Sequence, residues 1–234
     1  MRTQRLSALI AIAIFAMLGL SLLAFSRSVS AQPQIWQHSF DGWSYAGYVD
    51  SDGYVNGRVW LEANTVGGLK KYAAANRVLA DQLWKSGQRT MQVEVTFKHP
   101  ISIETLSRLQ VRSGVIINRV QARVISADGQ RVGMDWVVAN PSDLNPPSMD
   151  LTLNDISQKM NGPARFLGVV SFIGRGNRQA YDQLISDPDV FIADVTVNQI
   201  QRDMGNNIPI EKFSLVTGPA VFWLMEDAGL NNFQ

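Results

Sequence analysis

The chain contains no cysteine. That absence excludes disulfides, thiolate metal centres, cysteine nucleophiles and lipid attachment through a cysteine. Only two histidines occur, His38 and His99. They are far apart, and neither lies in a His-x-x-x-His or Glu-x-x-His pattern, so the spacing predicts no zinc centre. Gly-x-Ser-x-Gly and Ser-x-x-Lys patterns are also missing, which removes the familiar serine-hydrolase signatures. A basic excess is lacking too. Of 21 Lys and Arg residues, Arg2, Arg5 and Arg27 lie in the first 31 positions, leaving 18 against 20 acidic residues. A body with that balance has no charged footprint for nucleic acid.

What is present begins with a leader. Arg2 and Arg5 precede an uncharged apolar run from Leu6 to Phe25, and no acidic residue comes before Asp41. This arrangement directs the C-terminal side across a membrane. Twenty or so residues at about 1.5 Å each match the hydrocarbon thickness, which allows a permanent anchor. Val29-Ser30-Ala31 matches the small-x-small form of a cleavage site, which allows a removable signal peptide. Either way, residues 32–234 are expected to work outside the cytoplasm, secreted, periplasmic or at the cell surface. Apolar residues make up 46% of the chain, enough for a globular core in one continuous domain or two small ones.

Residues 34–62 are dense in aromatics interrupted by Asp-Gly and Asn-Gly pairs, which predicts short strands and hairpins. From Asn64 to Ser86, Leu69, Tyr72, Ala73, Asn76, Leu79, Ala80 and Leu83 recur every three or four residues. That is an amphipathic helix, with Gly87 as its C-terminal stop. These two parts form an N-terminal section, residues 32–90. Alternation over Met91 to Phe97 predicts a strand ended by His99-Pro100. A helix capped by Ser102 and stopped by Gly114 follows, then a hairpin over 116–138. The three prolines of 140–162 suggest a long loop with at most a short helix, and the best internal linker candidate. Arg165 to Ile173, Asn177 to Ile185 and Val190 to Val197 read as strand, helix and strand, the two strands parallel in one sheet. Ala220 to Met225 (AVFWLM) fits a buried strand, a short helix or a contact surface.

Residues 91–198 therefore give β-α-β-β, loop, β-α-β, a layout similar to the ferredoxin-like sandwich, and residues 91–234 make one α+β domain. A fold of this kind carries no function by itself.

Three motifs are candidates for binding. The aromatic segment supplies Trp36, Trp43, Tyr45, Tyr48, Tyr54 and Trp60 as a platform for a glycan or a protein, or alternatively as core. Asp50 and Asp52, with Gly53, mimic the middle of a calcium loop. Its first ligand would be Tyr48 and its last Val59, however, so a hairpin turn competes for the same residues. Gly174-Arg175-Gly176-Asn177-Arg178, between a strand and a helix, could hold an anion at the helix N-terminus. Gln179 occupies the place of the third glycine of a dinucleotide fingerprint. Acid candidates for hydrolysis are Asp41, Asp50, Asp52, Glu62, Glu94 and Asp135. The sequence thus predicts an exported, membrane-tethered or free, non-enzymatic binding protein of the envelope, with no cofactor. A carboxylate-dependent glycoside hydrolase and an architectural subunit are the alternatives.

Overall fold

The computed structural model describes residues 35–50, 52–140, 143–146, 148–160, 162–204, 215–217 and 220–230. The chain divides into two units, of which the second, Trp36–Gln234, holds all the described residues but Ile35. The expected leader and its cleavage site lie outside the described residues. Among the described residues no helix is long and apolar enough to cross a membrane.

The second unit is an α+β fold built on two sheets. The first sheet contains β1 (Ile35–Phe40), β2 (Trp43–Val49), β3 (Val55–Leu61) and β9 (Leu215–Thr217), in the order β1-β2-β3-β9. β2 and β3 form an antiparallel hairpin, while β9 joins β3 in parallel. Alternation decides its faces. Trp43, Tyr45, Val55, Val59 and Leu61 point inward and are buried, and Ser44, Ala46, Tyr48, Asn56, Arg58 and Trp60 form the outer face.

The second sheet contains β4 (Met91–Ile101), β5 (Ile116–Ser126), β6 (Arg131–Val137), β7 (Ala164–Gly176) and β8 (Val190–Asp194), in the order β6-β5-β7-β4-β8. All its neighbours are antiparallel. β7 and β8 are therefore parallel to one another, as expected, but with β4 between them. Proline is tolerated in this central strand because pairing with β8 stops at Phe97, and pairing with β7 is irregular between Thr96 and Ile101. Pro100 thus loses no regular ladder bond. His99-Pro100 does not end the strand, as the sequence reading had it.

Six helices are described: α1 (Val66–Lys85), α2 (Ile103–Ser113), α3 (Met149–Lys159), α4 (Arg178–Ile185), α5 (Thr196–Met204) and α6 (Val221–Asp227). Caps fix several ends. Ser102 Oγ accepts from Thr105 N at 3.1 Å at the start of α2, and Gly114 closes it at φ 71°, the left-handed region a Cβ disfavours. Asn177 caps α4 by accepting from Ala180 N at 2.9 Å. The second sheet has helices on both faces. A Cβ on Gly176 of β7 would come within 2.8 Å of Ala180 Cβ of α4, whereas Tyr72 of α1 and Glu226 of α6 bond Asp194 and Arg123 on the opposite face. Residues 140–162 connect β6 to β7, which both flank β5, so this stretch is a crossover within one sheet and not a linker between domains.

Two expectations need correction. Val190 to Val197 is not one strand, because Asp194 Oδ1 accepts from Thr196 N at 2.8 Å and the backbone turns there into α5. That bond works as a helix cap, and it overrides the β-branched composition. The AVFWLM run is a helix, α6, with Val221, Phe222 and Met225 buried.

Candidate functional site

The outer face of β2 and β3 is the candidate site. Register pairs Ser44 with Trp60, Ala46 with Arg58 and Tyr48 with Asn56. Tyr48 and Trp60 thus lie one strand over and four residues along, their Cα atoms about 14 Å apart at ~3.3 Å per residue and ~4.8 Å per strand. Tyr48 is 40% exposed and Trp60 38%, with exposed Arg58 between them and small Ala46 beneath. Ser44 Oγ donates to Ser39 Oγ at 3.3 Å, extending the polar floor onto β1. Tyr54, 38% exposed, stands at the hairpin end. The side chain of Trp36 lies outside the described ones.

Trp43 and Tyr45 leave the binding set. They are 2% and 1% exposed, since odd-numbered positions of β2 face the core. Phe40 stacks on Trp43 at 4.2 Å, Tyr72 meets Trp43 edge-on at 6.2 Å, and Tyr45 Oη donates to Asp203 of α5 at 3.1 Å. Burial, then the neighbouring Asp203 carboxylate, raises the Tyr45 pKa well above the usual phenol range. These rings build a wall; they do not meet a ligand.

Asp50 is a hairpin organiser. Its carboxylate accepts from Asp52 N at 3.0 Å, Tyr54 N at 2.8 Å and Asn56 Nδ2 at 2.8 Å, while its backbone closes the turn through Gly53 N and Tyr54 O. These bonds turn the carboxylate toward its own loop. Asp52 contributes its backbone N–H to this turn. Among the described residues no three acidic or histidine side chains converge as metal ligands. His99 Nε2 lies 3.4 Å from Asp189, and His38 stacks on Tyr45 at 5.5 Å.

Gly174-Arg175-Gly176 continues β7 and is not a loop, pairing with Val93, Gln92 and Met91 in turn. A Cβ at Gly174 would lie 2.7 Å from the Ile116 carbonyl oxygen, so close strand approach explains this glycine without an anion. The N-terminus of α4 is occupied by its own Asn177 cap, and Arg178 lies 3.6 Å from Asp81 and 3.8 Å from Asp182.

The acids divide by environment. Asp41 and Glu62 share Lys71 at 2.6 and 3.6 Å, and Asp135 pairs with Arg119. Glu94 differs. It stands directly opposite Asp194 across β4 and β8, which brings the two Cβ atoms to about 5 Å. Burial, reinforced by the Asp194 charge, raises the Glu94 pKa to about 7, and burial raises that of Asp194. Sequence reasoning found Glu94 but missed Asp194, because only the β4–β8 register puts the two on the same face. Asp194 is satisfied inside the protein: it accepts from Tyr72 Oη and Thr196 N, and Tyr72 Oη also contacts Thr196 Oγ1 at 2.9 Å. Asn76 Oδ1 accepts from Val195 N at 2.9 Å, tying α1 to the same corner.

No family model, curated protein or solved structure matches this chain.

Proposed function

We propose that this is an exported, non-enzymatic binding protein of the cell envelope that meets its partner through the outer face of the first sheet. The observation that carries this reading is the row Tyr48, Arg58 and Trp60 on one solvent-facing side of the β2–β3 hairpin. Two rings whose Cα positions lie about 14 Å apart, with an arginine at the position between them, suit an extended envelope glycan, whose sugar faces stack on aromatics and whose hydroxyls accept from arginine. A protein partner is the alternative occupant of the same face. Export rests on the Leu6–Phe25 run, which, if retained, tethers this face to the membrane.

The strand order β5-β7-β4-β8, with β4 parallel to β5 and β7 parallel to β8, supports a ferredoxin-like reading of the second sheet, with β6 as an added edge strand. This places no activity on the sheet.

Titration of the full-length chain in non-ionic detergent with soluble envelope oligosaccharides, followed by tryptophan fluorescence, tests the glycan reading. Saturable quenching that Trp60→Ala and Tyr48→Ala each weaken by about tenfold or more supports it. If no oligosaccharide perturbs the signal, the occupant becomes a protein, sought with a photo-cross-linker at position 48 or 60 in intact envelopes. Absence of any adduct there would discard this face.

A second reading, hydrolysis by paired carboxylates, draws on Glu94 opposite Asp194. It requires substrate access to both acids, and an oligosaccharide cleavage that Glu94→Gln abolishes would establish it.

A further inference from the structure

The edge strand β8 lies between α1 and α4, and a cleft of about 440 Å³ opens beside it. Its lining carries three cations, Lys70, Arg77 and Lys98, together with apolar Ala73, Ile185 and Phe191 and the polar Ser186. The one acid on its lining, Asp187, is already paired with Arg112, and Lys98 Nζ is steadied by the Pro188 carbonyl. The cleft therefore presents positive charge beside apolar surface.

A smaller recess of about 10 Å³ adjoins it, sharing Ala73, Arg77 and Ile185 and lined in addition by Tyr181. Tyr181 is 3% exposed, and its hydroxyl has no hydrogen-bond partner among the described residues. A buried hydroxyl left unpaired is costly, and the recess has about the volume of one water or one ligand oxygen. Cations, apolar side chains and an orphan donor in the adjoining recess are three independent features of one place.

We infer that this cleft binds a small organic anion. Its apolar body would lie against Ala73, Ile185 and Phe191, its charged head on Lys70, Arg77 and Lys98, and one oxygen, or a water it holds, would accept from the Tyr181 hydroxyl. Charge-assisted bonds from Arg and Lys select the anionic head, and the walls select against a bare inorganic ion. The site shares no residue with the Tyr48–Trp60 face and does not depend on it.

Isothermal titration of the full-length chain in non-ionic detergent, with phenyl phosphate and inorganic phosphate as probes, tests this. Phenyl phosphate is expected to bind at least about tenfold more tightly than inorganic phosphate. Arg77→Ala, at an exposed position, should weaken it by about tenfold or more, and the isosteric Tyr181→Phe by roughly three- to tenfold. Trp60→Ala should leave it unchanged. Phosphatidate doped into the micelles separates two sources of the same chemistry: competition with phenyl phosphate that these variants relieve assigns the site to a lipid headgroup, and its absence to a free anion. No heat with phenyl phosphate, equal affinity for both phosphates, or indifference to both variants would overturn the site.

Discussion

The two sheets use their faces differently. The five-stranded sheet is covered on both faces at its centre, with α4 on one side and α1 and α6 on the other, while its edge strand β6 leaves Asp135 and Val137 exposed; it even buries charge, since Arg123 and Glu226 are 1% and 0% exposed at their side chains. Arg123 also lies 3.5 Å from the centre of the Trp223 ring. The four-stranded sheet commits one face only. Its inner residues Trp43 and Tyr45 are buried, while Tyr48 and Trp60, on the same two strands, remain more than a third exposed. Aromatic density alone therefore says little; the parity of a position along its strand decides whether a ring supports the fold or is available to a partner.

The contrast can be broken most forcefully at the buried ion pair. Arg123→Met should cost about 3–5 kcal/mol, because it leaves the buried Glu226 carboxylate only the longer contact to half-exposed Arg131 at 3.4 Å. Adding Glu226→Leu should recover much of that loss. Urea denaturation of the two variants measures both effects, and a single variant as stable as the parent would show that water reaches the pair. Within the first sheet, Trp43→Ala should cost about 3–5 kcal/mol and Trp60→Ala no more than about 0.5. Similar losses from the two would remove the distinction between inner and outer faces on which the proposed function rests.

The legible part of this fold was its local rhythm. Asp-Gly and Asn-Gly turn pairs found the hairpin of β2 and β3, alternation found β4 and β6, the three-four spacing found α1, and Ser102 and Gly114 bracketed α2 as their cap chemistry requires. What escaped depended on partners distant in sequence. Asp194 looked like one more residue of an apolar strand until Tyr72, 122 positions earlier, came into hydrogen-bond range of it. Gly174 and Gly176 resembled a phosphate loop, because a glycine needed for strand contact with Ile116 is indistinguishable in sequence from one needed for an anion. The cleft beside β8 had no signature at all, since Lys70, Lys98 and Tyr181 come from three elements with no common motif.

A subtler difference between the sheets is their response to pH. Glu94 of the second sheet has its folded pKa raised from 4.5 to about 7. The folded state therefore holds the proton more tightly than the unfolded chain. The stability this contributes is fully present below about pH 4.5 and is lost as pH rises through about 7. Asp194 is shifted in the same direction. Glu94→Gln should flatten the fall in stability between about pH 5 and about pH 8, an effect on the order of 1–3 kcal/mol. Denaturant midpoints across that range measure it, and parallel curves for parent and variant would mean that Glu94 is solvated.

The smallest expected effect falls on Arg178, the first residue of α4. Its guanidinium is 62% exposed and lies 3.6 Å from Asp81 and 3.8 Å from Asp182, both themselves exposed. Screening leaves such pairs worth little, so Arg178→Ala should shift stability by no more than about 0.5 kcal/mol, and by less as salt is raised. The same substitution separates the two readings of the glycine-rich stretch. Were an anion held at the start of α4, sulfate would raise the melting temperature of the parent and not of Arg178→Ala. With Asn177 already capping that terminus, sulfate should act equally on both, through general exclusion from the surface and not through a bound ion.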